Sequence, residues 1–378
     1  MSLNGLMSLL NGDNGDNGDN GDNGDNGLMP GSGFAGRLLS PYTSTAMLSV
    51  RDGIVGPWVD PAAVPPPIDK LDEQMARWEP RVRAHIVDFE LLSSLQFDDG
   101  PKTLQTTKNK NGDGSIVTLS RPDPTYILAN QMQHVRSYAE LRRDRHQEIL
   151  SQLSNLADFF GSICYLHPQR TRFTIELIAV LMRALVSAEM RIKHALASPR
   201  PVDYSPQVLP IIQTPGHSCF PSGHAIEGFM LAHVLAAIIN EAAADRAHGD
   251  ANWREYFMRL AARIAVNRIV AGVHFPVDNA AGMVTGVLLG KYFVALAKRQ
   301  AGPLRSWTFT ADKYGQEDFR WRDMLQQLDD PNGGELSATG VQGAFLKSGL
   351  TFELASLPDK SPLPWLWNKA VAEWKKPS

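Results

Sequence analysis

Residues 221–240 read PSGHAIEGFMLAHVLAAIIN, and this stretch predicts a helix whose first turn is suited to an anion. Pro221 and Ser222 stand directly before the apolar run, which is typical of a helix start. The first amides of a helix lack partners within it and lie at its positive end, where an oxyanion binds readily. Gly223 leaves that approach open, and His224 follows it. Taken alone, the stretch fits a plain helix start with a structural histidine equally well.

A second stretch, Lys193-x6-Arg200-Pro201, follows a helical pattern over residues 172–194. Lys193 falls in the last turn of that pattern, and the proline-bearing residues 198–201 end it. Lys193 and Arg200 therefore lie on either side of a helix terminus, from which both can reach one anion. The plainer interpretation of this stretch alone is a lysine that complements the negative end of the helix dipole.

A third stretch, Arg268-x5-His274-x3-Asp278, begins where a helical pattern over residues 253–269 ends. Asp278 lies one helical turn beyond His274, so its carboxylate can accept a hydrogen bond from the imidazole. Such a partner fixes the tautomer and leaves the other ring nitrogen as a nucleophile. The helix that follows carries glycines at four-residue spacing, which predicts close packing of two helices: Gly282, Gly286 and Gly290.

In this order and spacing, the three stretches resemble the signature of a known superfamily, which contains type-2 phosphatidate phosphatases, bacterial acid phosphatases and vanadium haloperoxidases. The resemblance covers about residues 172–297, roughly a third of the chain. It implies a mainly α fold with a helical bundle core of the acid phosphatase/vanadium haloperoxidase type. One departure is Asn267, because the phosphatase signature usually has serine before the arginine of the third stretch; asparagine is kept as an additional site candidate.

The resemblance implies a binding set for a small phosphorylated substrate. Lys193, Arg200 and Arg268 would clamp the phosphoryl oxygens, and Ser222 and Gly223 would donate hydrogen bonds to them. Phosphoryl transfer needs charge stabilisation and in-line positioning more than elaborate covalent machinery, which agrees with such a set.

The resemblance also implies a catalytic set. His274 would attack phosphorus, oriented by Asp278, and form a phosphohistidine. His224 would protonate the leaving alcohol and then activate the hydrolytic water. The predicted activity is that of a metal-independent phosphoric monoester hydrolase, a phosphatase that needs no cofactor.

The alternative within the same superfamily is a vanadium-dependent haloperoxidase, which would use vanadate as cofactor with peroxide and a halide as substrates. In that case His274 would ligate vanadate, and His217 would supply a further active-site histidine. Against this, Pro276 stands where haloperoxidases more often carry arginine, and Met190 replaces an expected aromatic residue. A non-catalytic oxyanion-binding protein is the second alternative, although it would not need His224 in register with the other groups.

The chain divides into four predicted parts. Residues 1–36 form a disordered low-complexity tail that contains an Asp-Asn-Gly repeat, and residues 37–166 form a loop-rich and helical forepart. Residues 167–300 form the oxyanion-binding catalytic core. Residues 301–378 form an extension that Trp365 and Trp367 pin to the core. No run shows the alternating pattern of a substantial sheet.

Composition excludes several classes of protein. The net charge of −3 at pH 7 gives no electrostatic case for nucleic acid. The two cysteines, Cys164 and Cys219, are predicted to be buried free thiols, and Cys219 is interpreted as a packing residue without an adjacent base.

Targeting signals are weak in this sequence. Residues 1–10 lack the cationic start of a secretory signal. The cleanest apolar stretch, residues 279–290, ends before Lys291 and falls well short of the ~20 residues that a bilayer needs. These observations predict a soluble, cytoplasmic protein without a transmembrane segment. The identity of the substrate, homo-oligomerisation and the roles of the tail and the extension stay open.

Overall fold

The computed structural model describes residues 67–98, 103–106, 115–243, 252–300 and 303–375. The predicted disordered tail lies outside the described residues. Within them helices predominate, which confirms the mainly α fold predicted from the sequence.

Short helices make up the first part. Residues 124–166 divide into four α-helices, and polar side chains cap the first and the last of them. Asp123 accepts from the amide of Thr125, and Asn155 accepts from the amide of Ala157. The helices of this part are α1 (Leu71–Arg77), α2 (Pro80–Ser93), α3 (Pro124–Asn130), α4 (Met132–Tyr138), α5 (Arg142–Ser151) and α6 (Leu156–Cys164).

Long helices build the centre of the molecule: α7 (Arg172–Leu196), the short α8 (Pro201–Tyr204), α9 (Gly223–Ala243), α10 (Trp253–Val270) and α11 (Pro276–Ala297). α9 and α11 are apolar on most sides and largely buried, which is expected of helices at the middle of a core. α9 packs against α7, α10 and α11. The starts of α9 and α11 therefore meet the end of α7 at one end of the bundle.

The glycine spacing on α11 marks the close packing that the sequence predicted. A Cβ atom added at Gly282 would lie 2.6 Å from the carbonyl oxygen of Ser222, and one added at Gly286 would collide with the carbonyl oxygen of Ile226. The two helices thus touch through their backbones. The amide of Ser222 also donates to the carbonyl of Asp278 at 3.0 Å, so the contact reaches the ends that carry the candidate site.

A six-stranded sheet contradicts the expectation that no substantial sheet forms. Its strands are β1 (Leu95–Asp98), β2 (Thr103–Thr106), β3 (Ser115–Ser120), β4 (Leu304–Thr310), β5 (Glu335–Ser337) and β6 (Ala344–Phe352), in the order β1-β2-β3-β4-β6-β5. β3 and β4 pair in parallel, with Val117 opposite Trp307. Most strands are short, and this central pair joins segments on either side of the helical core, so no local sequence pattern reports it.

The C-terminal part adds α12 (Trp321–Asp329) and α13 (Pro362–Trp374). α13 packs on α7 and α9. Trp365 and Trp367 are buried there, and their indole nitrogens donate to Asp72 at 2.7 Å and to Glu241 at 3.3 Å. These contacts agree with the predicted role of both tryptophans, whereas the boundaries of the four parts stay predictions.

Two helices contradict the prediction that no stretch can cross a membrane. α9 and α11, with 21 and 22 residues, are long and apolar enough to do so by length and composition. The prediction ended the apolar stretch at Lys291, but α11 continues through this residue to Ala297. In this structure 72% and 94% of their most apolar windows are buried inside the protein. Because two helices have the length and composition of membrane spans, the predictions of a soluble protein and of no transmembrane segment were wrong. The predicted cytoplasmic location rested on them and was wrong as well.

Candidate active site

The ends of four helices bring the three stretches together. Lys193 lies in the last turn of α7, Ser222 and Gly223 begin α9, and Asp278 lies in the first turn of α11. α10 ends after Arg268 in a Schellman motif, in which Val273 donates to the carbonyl of Arg268 at 3.2 Å. Gly272 supplies the left-handed residue that this motif requires, with φ 85°. The reversal places His274 beside the end of its own preceding helix.

These helix ends enclose a small cavity of about 40 Å³. That is room for about three water molecules or one small inorganic anion. Leu153 and the segment with Ile212, Gln213 and Pro215 complete its wall. Seven of the predicted residues line the cavity: Lys193, Arg200, His217, Gly223, His224, Arg268 and His274.

Three cations face this cavity from inside the protein. Lys193, Arg200 and Arg268 are each at most 3% exposed. Lys193 Nζ donates to the carbonyls of Pro221 at 2.7 Å and of Ser218 at 3.1 Å. Burial lowers the pKa of Lys193 below its ordinary value, and nearby Glu189 opposes that shift. The desolvation of three cations in one place is costly unless an anion compensates it.

Arg200 links the first stretch to two histidines. Its Nε and Nη1 donate to the carbonyls of His217 and Val273, both at 3.2 Å. Nη2 lies 3.1 Å from His217 Nδ1, and Nη1 lies 3.4 Å from His274 Nε2. The guanidinium is thus fixed by the backbone with its edge beside the candidate nucleophile.

Arg268 keeps two donors without hydrogen-bond partners among the described residues. Its Nη2 donates to Gln152 Oε1 at 3.1 Å and to the carbonyl of Ile149 at 3.3 Å, whereas Nε and Nη1 are buried and unsatisfied. Burial lowers the pKa of Arg268 to about 10. Ser222 Oγ is likewise buried and lacks a partner. Buried donors of this kind are rare in native proteins and call for a ligand or water.

Asn267 does not line the cavity, although it was an additional site candidate. Its Nδ2 donates to Gln152 Oε1 at 3.0 Å and to Glu148 Oε1 at 2.9 Å. Gln152 Oε1 is the atom that also accepts from Arg268. Asn267 therefore contributes indirectly. It fixes the side-chain amide of Gln152, which in turn accepts a hydrogen bond from Arg268.

His274 and Asp278 form the predicted pair. Nδ1 of His274 lies 3.2 Å from Asp278 Oδ2, and both side chains are nearly fully buried. Burial, with Arg200 and Lys193 nearby, holds the pKa of His274 well below its usual value. Burial raises the pKa of Asp278 to about 6. At neutral pH the pair is therefore a neutral imidazole and a carboxylate, and Nε2 carries the lone pair on the side of Arg200.

Cys219 corrects the interpretation of a packing residue without an adjacent base. Its thiol donates to Asp278 Oδ2 at 2.9 Å and lies 3.4 Å from His274 Nδ1. Burial, with the Asp278 carboxylate beside it, raises the pKa of this thiol well above its ordinary value, so it acts as a neutral donor. The three groups could also hold a metal ion by their mutual distances. The thiol hydrogen bond accounts for their arrangement more simply. A metal cation at this place would be repelled by the positive charges of Lys193 and Arg200, which lie close by.

His224 reaches the cavity from the first turn of α9. Its Nε2 lies 3.2 Å from the carbonyl oxygen of Gln152, and the side chain is half-buried. A backbone contact from the residue after α5 therefore positions His224 on the cavity wall.

Glu189 is the cavity residue that sequence reasoning missed. It lies on α7, one helical turn before Lys193, is 2% exposed, and its Oε1 is 3.7 Å from Lys193 Nζ. An acidic residue one helical turn before the lysine was the available signal.

Residues 173–301 match the sequence model of the PAP2 superfamily. This part, about a third of the chain, is similar to the PAP2 superfamily. The match includes all three stretches and supports phosphatase-type chemistry in general. The superfamily resemblance seen in the sequence is thereby confirmed.

Among solved structures, this chain is similar to a transmembrane PAP2-type phosphatidylglycerolphosphate phosphatase from Bacillus subtilis. The identity is 17%, the TM-score is 0.37, and the alignment covers 47% of this chain and 90% of the other. That protein is transmembrane, in contrast to the membrane-free location predicted here. None of the curated proteins matches the chain.

Proposed function

We propose that this chain is a metal-independent phosphoric monoester hydrolase that works through a phosphohistidine. The observation that carries the proposal is a set of buried donors without partners among the described residues: Nε and Nη1 of Arg268, and Oγ of Ser222. Arg268 lines a cavity of anion size together with the buried cations Lys193 and Arg200, and Ser222 directly precedes Gly223 in its wall. A tetrahedral oxyanion satisfies these donors and offsets the buried positive charge together.

In the first step, the Nε2 lone pair of His274 attacks phosphorus, and the bond from phosphorus to the leaving oxygen breaks. His224 gives its proton to that oxygen, so the alcohol leaves neutral. The carboxylate of Asp278 accepts from Nδ1–H of His274 and stabilises the cationic ring that forms. The neutral state of His274 follows from its low pKa, since a protonated ring has no lone pair to offer.

In the second step, water attacks the phosphohistidine and gives one proton to His224. The phosphorus–nitrogen bond breaks, and its electron pair returns to Nε2. Lys193, Arg200 and Arg268 stabilise the charge on the phosphoryl oxygens in both steps, and their fixed positions cost little reorganisation.

The test is a paired assay on purified full-length chain. One arm measures hydrolysis of a chromogenic phosphomonoester without added metal and in the presence of chelator. Rapid quenching in base then traps the acid-labile phosphoenzyme expected of phosphohistidine. Hydrolysis that vanadate inhibits competitively supports the proposal, because vanadate imitates the five-coordinate transition state. Absence of hydrolysis and of phosphoenzyme overturns it.

A vanadium-dependent haloperoxidase is the second candidate, favoured by the position of His217 on the cavity, 3.1 Å from Arg200. The three cations and the buried donor of Ser222 also suit vanadate, which His274 would hold through Nε2. The chemistry that vanadate would provide at this site is catalysis of halide oxidation by peroxide. The second arm of the assay measures bromination of an indicator phenol after vanadate loading. Bromination with little hydrolysis would favour this candidate, and inactivity in both arms would favour a binding protein.

A further inference from the structure

Lys193 has three polar neighbours inside the protein. Its ammonium group donates to the carbonyls of Ser218 and Pro221. The third neighbour is the carboxylate of Glu189, whose Oε1 lies 3.7 Å from Nζ and forms an ion pair with it. A phosphoryl oxygen that approaches Lys193 on this side meets the negative charge of Glu189.

The same carboxylate covers Gly223. A Cβ atom added at Gly223 would collide with Glu189 Oε1 and lie 3.0 Å from Glu189 Cδ. Gly223 is the first residue of α9, where the proposed function has an oxyanion approach the helix. Glu189 thus presents two anionic oxygens at the place assigned to the oxygens of the substrate.

The carboxylate faces charged and titratable groups from every neighbouring element of the cavity. On its own helix it meets Lys193, and behind His274 lies Asp278. A phosphoryl dianion that enters brings two more negative charges into the same low-dielectric space. A buried carboxylate beside an anion takes up a proton, because two like charges at this distance repel strongly. The remaining groups that line the cavity with it are Arg200, His217, His224, Arg268 and His274.

We infer that Glu189 is the internal counter-ion of the cavity, and that a tetrahedral dianion enters together with one proton, which Glu189 takes from solvent. The inference rests on the proposed function as far as the anion site is concerned. With its proton, Glu189 stays in the cavity as a hydrogen-bond donor to an anion oxygen. Lys193 is then released from its carboxylate partner. Glu189 thereby couples the affinity for substrate to pH.

The experiment measures binding, not turnover. Tungstate is the probe, because it is a tetrahedral dianion that carries no titrating proton near neutral pH. Calorimetric titration in two buffers of different ionisation enthalpy counts the protons taken up. We expect about one proton per tungstate for the wild-type chain, with affinity falling by up to about tenfold per pH unit on the alkaline side. Glu189→Gln should take up none and bind at least about tenfold more tightly there.

Two further variants serve as controls for the comparison of wild type with Glu189→Gln. Glu255→Gln removes a negative charge from the surface of α10, where Glu255 pairs with Arg259 and Arg322, and should behave as wild type. Glu189→Asp keeps a carboxyl group, should keep the proton uptake, and serves if Glu189→Gln does not fold. In that case infrared difference spectra of wild type and Glu189→Asp should each show a carboxylate band lost on tungstate binding, at different frequencies.

The outcomes separate the two proposals. Equal proton uptake and equal affinity in wild type and Glu189→Gln overturn the inference alone, since a histidine then takes the proton. Unchanged carboxylate bands have the same consequence. Tungstate binding by Glu189→Gln but not by wild type supports the inference. If neither protein binds any tetrahedral oxyanion, the proposed function falls together with it.

Discussion

The two ends of α7 each carry a buried ion pair, and the two pairs differ in completeness. At the start, Glu176 accepts from Arg83 through both oxygens, at 2.7 and 2.6 Å. At the end, Glu189 meets Lys193 at a single distance of 3.7 Å. Burial does not separate them, since all four side chains are at most 6% exposed. We call the Arg83–Glu176 pair the closed pair and the Lys193–Glu189 pair the open pair.

Most of the hydrogen-bonding capacity of Arg83 in the closed pair is used inside the protein, in four hydrogen bonds. Arg83 also donates to the carbonyls of Met75 and Trp78, and its guanidinium lies over the ring of Trp365. The open pair lines the same cavity as Arg268, whose Nε and Nη1 have no hydrogen-bond partner among the described residues. The comparison teaches that two ion pairs of equal burial can differ in how closely their charged groups approach, and that unsatisfied donors accompany the looser pair.

The largest expected effect is at the open end. His274→Ala should lower kcat by at least about a thousandfold, because it removes the nucleophile of the first step. The melting temperature should change little. Hydrolysis rates and circular dichroism melting measure the two quantities. His85→Ala is the control, because His85 is an exposed residue of α2. A His274→Ala protein of full activity would refute the mechanism.

A change in the closed pair should lower stability and leave turnover unchanged, in contrast to His274→Ala. Arg83→Met leaves the Glu176 carboxylate buried and uncompensated, which should cost about 3–5 kcal/mol of the free energy of unfolding. Turnover per folded molecule should stay unchanged. Lys193→Met should show the reverse, with kcat/KM lower by about a hundredfold and a smaller loss of stability. Urea denaturation and kinetics test both variants, and equal destabilisation would remove the distinction between the pairs.

The pH dependence of kcat/KM sharpens the comparison further. Burial lowers the pKa of Lys193, and only the protonated lysine stabilises the phosphoryl oxygens. Activity is therefore present below that pKa and lost as pH rises through it, at a lower pH than an ordinary lysine would allow. Lys193→Arg should move this decline to higher pH, since guanidinium keeps its proton. A decline that stays in place would mean that another group sets it.

The smallest expected effect concerns the thiol beside the catalytic pair. Cys219→Ala removes one hydrogen bond to Asp278 and should lower kcat about fivefold, equivalent to about 1 kcal/mol, with KM unchanged. Cys219→Ser should restore most of the rate, because a hydroxyl also donates. Cys164→Ala is the matched control, since Cys164 is buried on α6 and its thiol donates to the carbonyl of Phe160 in its own helix. Equal effects of both alanine variants would point to packing.

The cavity was predictable where its residues stand in fixed spacing along the chain. Lys193 and Arg200 flank one helix end, and the interval from Arg268 to Asp278 spans one Schellman motif and one helical turn. The residues on either side of a helix end determine this geometry, so it can be predicted from a short stretch of sequence. Their approach to Ser222 was predictable only through the superfamily resemblance, because helix packing brings the three segments together.

Other features lie beyond such reasoning. The parallel pairing of β3 with β4 joins residues about 190 positions apart, and no periodicity records it. The hydrogen bond from Cys219 to Asp278 depends on how α9 is set against α11. Asn267 was predicted by position, but its amide faces Glu148 and Gln152 because α5 packs on that side of α10. In each case tertiary contact, not sequence pattern, determines the partner.

The backbone contact between α9 and α11 has a consequence for how this protein can vary. Gly282 lies against the carbonyl of Ser222, so the backbones of α9 and α11 touch beside the turn that carries His224 and the turn that carries Asp278. The spacing of the proposed acid and the proposed nucleophile therefore depends on this backbone contact. Changes in the sheet or in α13 leave that spacing intact, whereas a single methyl group at Gly282 alters it. We therefore expect substitutions to be tolerated in the sheet and in α13, but not at the backbone contact between α9 and α11.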